Sequence, residues 1–177
     1  MREQISRRLL RYLETHESRL FQRIELQVLL YLTAKAFSIP AKNILFLPHE
    51  KALETYALFT RDAMARPTER ERIYNLSHSL GEKIRRISGL KDTCDLDRLI
   101  FYLYKNLDIT MEGDFTNGVK IPHCYFSERY SPSQCAIMSA MDSGIVTGIH
   151  GGSELTFQQR LTEGHPFCLA FIERRTE

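Results

Sequence analysis

The chain has 177 residues, 43% of them hydrophobic and 26% charged, with a formal net charge of +2. That length and composition predict a single α+β domain spanning 1–177, long enough to bury about 70% of its unfolded surface without a metal or disulfide merely to fold. The run from Leu26 to Ala34 is too short to cross ~30 Å of hydrocarbon, so no membrane span is expected.

At the N-terminus Arg2, Arg7, Arg8 and Arg11 alternate with Glu3 and Glu14, and no signal-peptide cleavage pattern follows, so a soluble, cytoplasmic chain is expected. Leu9, Leu10, Leu13, Leu20, Ile24 and Val28 recur at helical steps and predict an apolar stripe. Pro40 interrupts it, and Pro48 suits the first turn of a helix through "HEKALETYALFTRDAMA". Pro67 with Glu69 and Glu71 starts another helix, because proline fits the first turn and acids complement the dipole, and Gly89 stops it. A further helix fits Leu96 to Leu107, which closes a mainly helical layer over 1–107. Basic residues concentrate in this half, but arginines alternate with glutamates, which marks solvated helix faces and not a nucleic-acid surface.

From 108 the grammar changes to two hairpins around one helix. Asn117-Gly118 signals the first turn, since both residues accept positive φ, and Pro122 demands an edge or a bulge in its second strand. Ser131, Pro132 and Gln134 spell a capped helix start, and Gly151-Gly152 ends that helix. "ELTFQQRLT" and "FCLAFIERR" form the second hairpin around "EGHP", apolar on both faces and so expected to be covered on both. The expected architecture is a helical N-terminal layer on an antiparallel sheet of β-β-α-β-β order.

Chemistry concentrates on the helix after Ser131. Cys135, Met138, Ser139, Asp142 and Val146 share one face, so a thiol, a hydroxyl and a carboxylate line up within an apolar stripe. Cys135 lies in the first turn, where the dipole and free N–H groups favour thiolate; small-residue packing is the alternative for Cys135 and Ser139. Gly144 and Gly148 share a face and imply close approach of a backbone or ligand, or helix-on-sheet packing. Arg160 suits a carboxylate clamp, or else an ordinary ion pair with Glu154, Glu163 or Glu173. Cys94, Cys124, Cys135 and Cys168 contain no CxxC; Cys124, Cys135, Cys168 and one histidine could also bind zinc, although their irregular spacing makes this a weak signal. His123 and Cys124 point to opposite strand faces and are no ready-made catalytic pair.

"HCYFSERYSPSQC", then Asp142 and Gly144, then "LTFQQRLTEGHPFCLAFI" resembles the L-2-amino-thiazoline-4-carboxylic acid hydrolase family. "ALETYALFTRDAM" is also similar to the N-terminal part of that family, and the resemblance is strongest over 120–172. His165 stands where the family carries an acid. More distantly, the spacing of Cys135 and Cys168 resembles the 4-vinyl reductase ligand-binding domain, although Gln158 or Gln159 and Thr162 replace its acidic and cysteine positions.

The first resemblance implies a hydrolase that opens a cyclic amidine-thioether. Cys135 would be the nucleophile, Asp142 or His165 the proton carrier and Arg160 the carboxylate anchor, with Ser139, Cys124 and Cys168 completing the substrate-binding set. The expected partner is a small-molecule substrate or ligand, and no cofactor or oligomeric state is encoded in a motif. A non-catalytic ligand-binding or sensory module, its pocket between helical layer and sheet, explains the same residues. An interaction protein is suggested only by the basic first helix with Leu9, Leu10 and Leu13.

Overall fold

The computed structural model describes residues 2–16, 18–64, 70–151 and 154–173. In chain order these form α1 (Arg2–Thr15), α2 (Arg19–Phe37), α3 (His49–Ala63), α4 (Arg70–Ser88) and α5 (Thr93–Lys105). The hairpin β1 (Ile109–Asp114) and β2 (Gly118–Cys124) follows, then α6 (Pro132–His150), β3 (Glu154–Gln159), a 3-10 turn at Leu161–Glu163 and β4 (Cys168–Glu173). The fold is α+β, with the helices leading into an antiparallel sheet of order β1-β2-β4-β3. A continuous core of buried side chains runs from Leu10 to Ala170.

Local chemistry sets the boundaries. Ser18 caps α2 by accepting a hydrogen bond from Phe21 N, so the predicted stripe breaks into two helices. Ser38 closes α2 in the left-handed conformation, two residues before Pro40. Asp92 caps α5 by accepting from Cys94 N and Asp95 N, so this helix starts a turn earlier than the Leu96 expected from periodicity. Ser131 and Gln134 form the reciprocal capping box at α6, with Pro132 in its first turn, and Gly151 ends the helix at φ 82°. Pro67, Glu69 and Gly152 lie outside the described residues.

The stripe itself is corrected. Leu10 is buried, but Leu9, Leu20, Ile24 and Val28 are exposed. The inward face of α2 is instead Leu26, Leu29, Leu30, Thr33 and Phe37, offset around the helix from the face that periodicity selected.

In the first hairpin Asp114 opposes Gly118 across a three-residue turn, and of the Asn-Gly pair only Gly118 takes positive φ. Asp114 Oδ1 holds the turn by accepting from Thr116 N and Asn117 N, which leaves Phe115 tucked into the core. Thr110 pairs with His123 and Glu112 with Lys120, so Ile121 and Pro122 together oppose Met111. Pro122 therefore sits in a bulge of β2, a position that needs no ladder donor.

One sheet face, with Val119, Ile121, Leu155, Phe157, Cys168 and Ala170, joins the core. The opposite face is only partly covered, and Lys120 lies 5.3 Å over the Phe167 ring there, so the second hairpin is not buried on both sides as its apolar alternation suggested.

The most extensive contact between elements joins α4 and α6. A Cβ on Gly144 would stand 2.5 Å from Tyr74 O, and one on Gly81 would stand 3.0 Å from Gly148 Cα. Gly144 and Gly148 therefore serve close approach of the α4 backbone. The packing is helix on helix, not the helix on sheet that the sequence favoured.

Candidate functional site

Two adjoining cavities lie between the helices and the sheet. The larger, about 380 Å³, is enclosed by side chains of α2, α3, α4, α5 and α6 and by Ile109, Cys124, Phe126 and Tyr130 from the strands and the loop after β2. The smaller, about 60 Å³, lies against the inner sheet face. Tyr104, Ile109, Cys124, Cys135 and Asp142 line both. Ile24 and Val28 of α2 and Ile87 of α4, all exposed, belong to the outer part of the larger cavity.

The sequence-predicted residues largely converge here. Cys124, Cys135, Ser139, Asp142, Arg160 and Cys168 all line the smaller cavity. The α6 spacing delivers Cys135, Ser139 and Asp142 to one face, while strand alternation turns Cys168 inward. His165 does not join them. It is exposed on the turn before β4, with its N–H donating to Arg160 O at 3.4 Å, so the proton-carrier role expected there has no access to either cavity. His123 is exposed beside Asp108 at 3.3 Å, and His150 pairs with Asp97 at 2.9 Å; neither lines these cavities.

Burial disfavours ionisation of the thiols. Burial pushes the Cys135 thiol up, and the neighbouring Asp142 charge adds to this, while a hydrogen bond with Thr162 and the Arg160 charge only partly oppose it. Desolvation thus overrides the first-turn effect that favoured thiolate. Burial likewise raises Cys168, and it raises Cys124 to about 12. All three are neutral thiols at pH 7.

The carboxyls are also perturbed. Burial lifts Asp142 to about 6, although Tyr104 Oη donates to its Oδ1 at 2.7 Å and the Arg160 charge also favours the ionised form. Arg160 is engaged by Glu163 at 3.4 Å and donates from Nε to Ser139 Oγ at 3.4 Å, with its guanidinium 5.0 Å over the Phe157 ring. The ion pair with Glu163, one of its two expected roles, is present. Ser139 is itself satisfied, donating to Cys135 O at 2.8 Å.

Two residues escaped the sequence reading. Glu25 of α2 lines the larger cavity and is lifted by burial to about 8, against the opposing effect of Asn106 Nδ2, which donates to its Oε2 at 2.9 Å. Tyr104 of α5 joins the two cavities and orients Asp142. The signal for Glu25 was present: an acid between Ile24 and Leu26, four residues from both Phe21 and Leu29 on a mostly apolar helix.

Among the described residues no cluster of three or more His, Cys, Asp or Glu side chains is arranged to hold a metal ion. No described helix is long and apolar enough to cross a membrane. No protein-family model, curated protein or solved structure matches this chain.

Proposed function

We propose that this protein is a small-molecule-binding module that encloses an apolar ligand in the larger cavity. The observation that carries this reading is a cavity of about 380 Å³ lined almost wholly by aliphatic and aromatic side chains, with Glu25, Tyr104 and Asp142 as a few polar groups. Its size lies within the range of known ligand sites, and such sites characteristically pair an apolar wall with sparse polar groups that fix orientation. The three neutral thiols act here as small wall residues, a role that buried cysteine fills readily.

Titration with the neutral naphthalene fluorophore prodan tests the reading. Saturable binding is expected, weakened at least tenfold by Val28→Trp, which puts bulk at the outer part of the cavity from a position already exposed to solvent. Absence of saturable binding, or equal binding by a folded Val28→Trp protein, would refute it.

A second reading is the ring-opening hydrolase of the thiazoline type. It is supported by the convergence of Cys135, Ser139, Asp142 and Arg160 on the smaller cavity. It requires Cys135 to lose its proton when substrate binds and Arg160 to leave Glu163. Incubation with 2-amino-thiazoline-4-carboxylate tests it: N-carbamoyl-cysteine that forms with the native protein and not with Cys135→Ala would make this the preferred function.

A further inference from the structure

Glu25 is an acid without a countercharge. Among the described residues it makes no ion pair, its one hydrogen-bond partner is the neutral Asn106 amide, and the surface it retains belongs to the larger cavity. Among the described residues no lysine, arginine or histidine lines that cavity, whereas Asp142 does, so its ionisable side chains are two carboxyls, the phenols and neutral thiols. Arg160 is, among the described residues, the cation that acts on Asp142, and it stands beyond the larger cavity in its pair with Glu163. Phe21, Tyr56, Tyr104, Phe126 and Tyr130 contribute five rings to the same walls.

We propose that the ligand of this cavity is an apolar amine, bound as its cation with the ammonium group at Glu25 and its carbon skeleton against the aromatic wall. The proposal deepens the binding reading above and rests on it. Carboxylates and ring faces both attract a cation, and both do so more strongly where water is excluded. An anionic ligand would find no positive partner here and would face two acids. A neutral ligand would leave the Glu25 carboxyl protonated, with only hydrogen bonds to offer. The groups around Glu25 and Asp142 include Tyr104 of α5 and Asn106 just after it, Tyr56 of α3, Tyr130, Arg160 after β3, and the thiols of Cys124, Cys135 and Cys168. None of those lining the cavity competes as a cation.

Proton balance gives a second signature. Burial raises the Glu25 carboxyl to about 8, which favours its protonated form at neutral pH in the free protein. A bound ammonium stabilises the carboxylate, so the proton leaves Glu25 for the buffer as the amine binds. Binding at pH 7 is therefore expected to release protons.

The test compares 2-naphthylmethylamine, 2-naphthylmethanol and 2-naphthoate by calorimetry on the full chain at pH 7. The amine is expected to bind at least tenfold more tightly than the alcohol, and the naphthoate most weakly. Glu25→Gln keeps the shape and the Asn106 partner; it should weaken the amine about tenfold and leave the alcohol within twofold. Repeating the amine titration in phosphate and Tris, which differ in ionisation enthalpy, should show proton release from the native protein.

Alcohol binding as tight as amine binding would overturn the cationic assignment while leaving the binding module intact. Equal weakening of amine and alcohol in Glu25→Gln would overturn the anchor. Failure of all three compounds and of prodan would overturn both.

Discussion

Replacing Gly144 with alanine probes the α4–α6 contact directly. The new Cβ would lie 2.5 Å from Tyr74 O, 2.7 Å from Ser77 Cβ and 2.9 Å from His78 N, where ordinary contact begins near 3.4 Å. Two of these neighbours are backbone atoms and the third is a Cβ, so no flexible side chain can swing aside. The helices must part by up to about 1 Å, and overpacking of this kind costs ~1–3 kcal/mol, toward the upper end here because the interface is the largest in the protein. Alanine recovers ~1 kcal/mol through helix propensity, leaving a net loss of about 1–2 kcal/mol. That corresponds to a fall in Tm of roughly 2–8 °C for a chain of this length. Denaturant unfolding followed by far-ultraviolet circular dichroism measures it, with Ser79→Ala on the exposed face of α4 as the propensity-only control. A Gly144→Ala protein as stable as the wild type would refute the argument that these glycines exist for backbone approach.

The remaining predictions concern ionisation. Glu25 and Asp142 keep their protons in the native state at pH values where the unfolded chain has released them, so their contribution to stability falls as pH rises from about 4 through their native values near 6 and 8. Relative to Glu25→Gln, the native protein should lose on the order of a few kcal/mol between pH 5 and pH 8 in denaturant titrations; parallel pH profiles would show that Glu25 is not held in a desolvated site. Under native conditions a thiol reagent should label the exposed Cys94 at least tenfold faster than Cys124, Cys135 and Cys168. Rapid labelling of Cys135 would restore it as a nucleophile.

The parts of this molecule that were legible in its sequence are those whose causes are local. Ser131, Pro132 and Gln134 fix the start of α6 among themselves, and Pro122 excludes a regular ladder wherever its strand is placed. The spacing of Cys135, Ser139 and Asp142 sends three side chains to one cavity because a helix face is itself a local property. Cys135 shows where that reasoning stops: its position in the first turn was correctly read, but its ionisation is governed by burial from strands and loops distant in sequence. Gly144 and Gly148 declared a need for space without naming α4 as the neighbour. Tyr104 was read only as part of a helix, because its role depends on meeting Asp142 thirty-eight residues later. Thr162, expected in a strand, lies instead in a 3-10 turn closed by Gly164 at φ 87°.

The register between β2 and β4 has a consequence for the order of assembly. Each hairpin can form from neighbours in sequence, but pairing Val119–Ile121 with Cys168–Ala170 joins strands separated by the whole of α6. Such closure bears the entropy of a long loop before its contacts compensate, so it belongs late in folding, after the helices. The smaller cavity takes its walls from both sides of that seam, with Ile121 and Cys124 on one and Cys168 and Ala170 on the other. A chain emerging from synthesis therefore presents helices long before it presents a complete inner cavity. Capture of the proposed ligand against this inner wall would have to wait for β4, which would make a bound ligand a reporter of that closure.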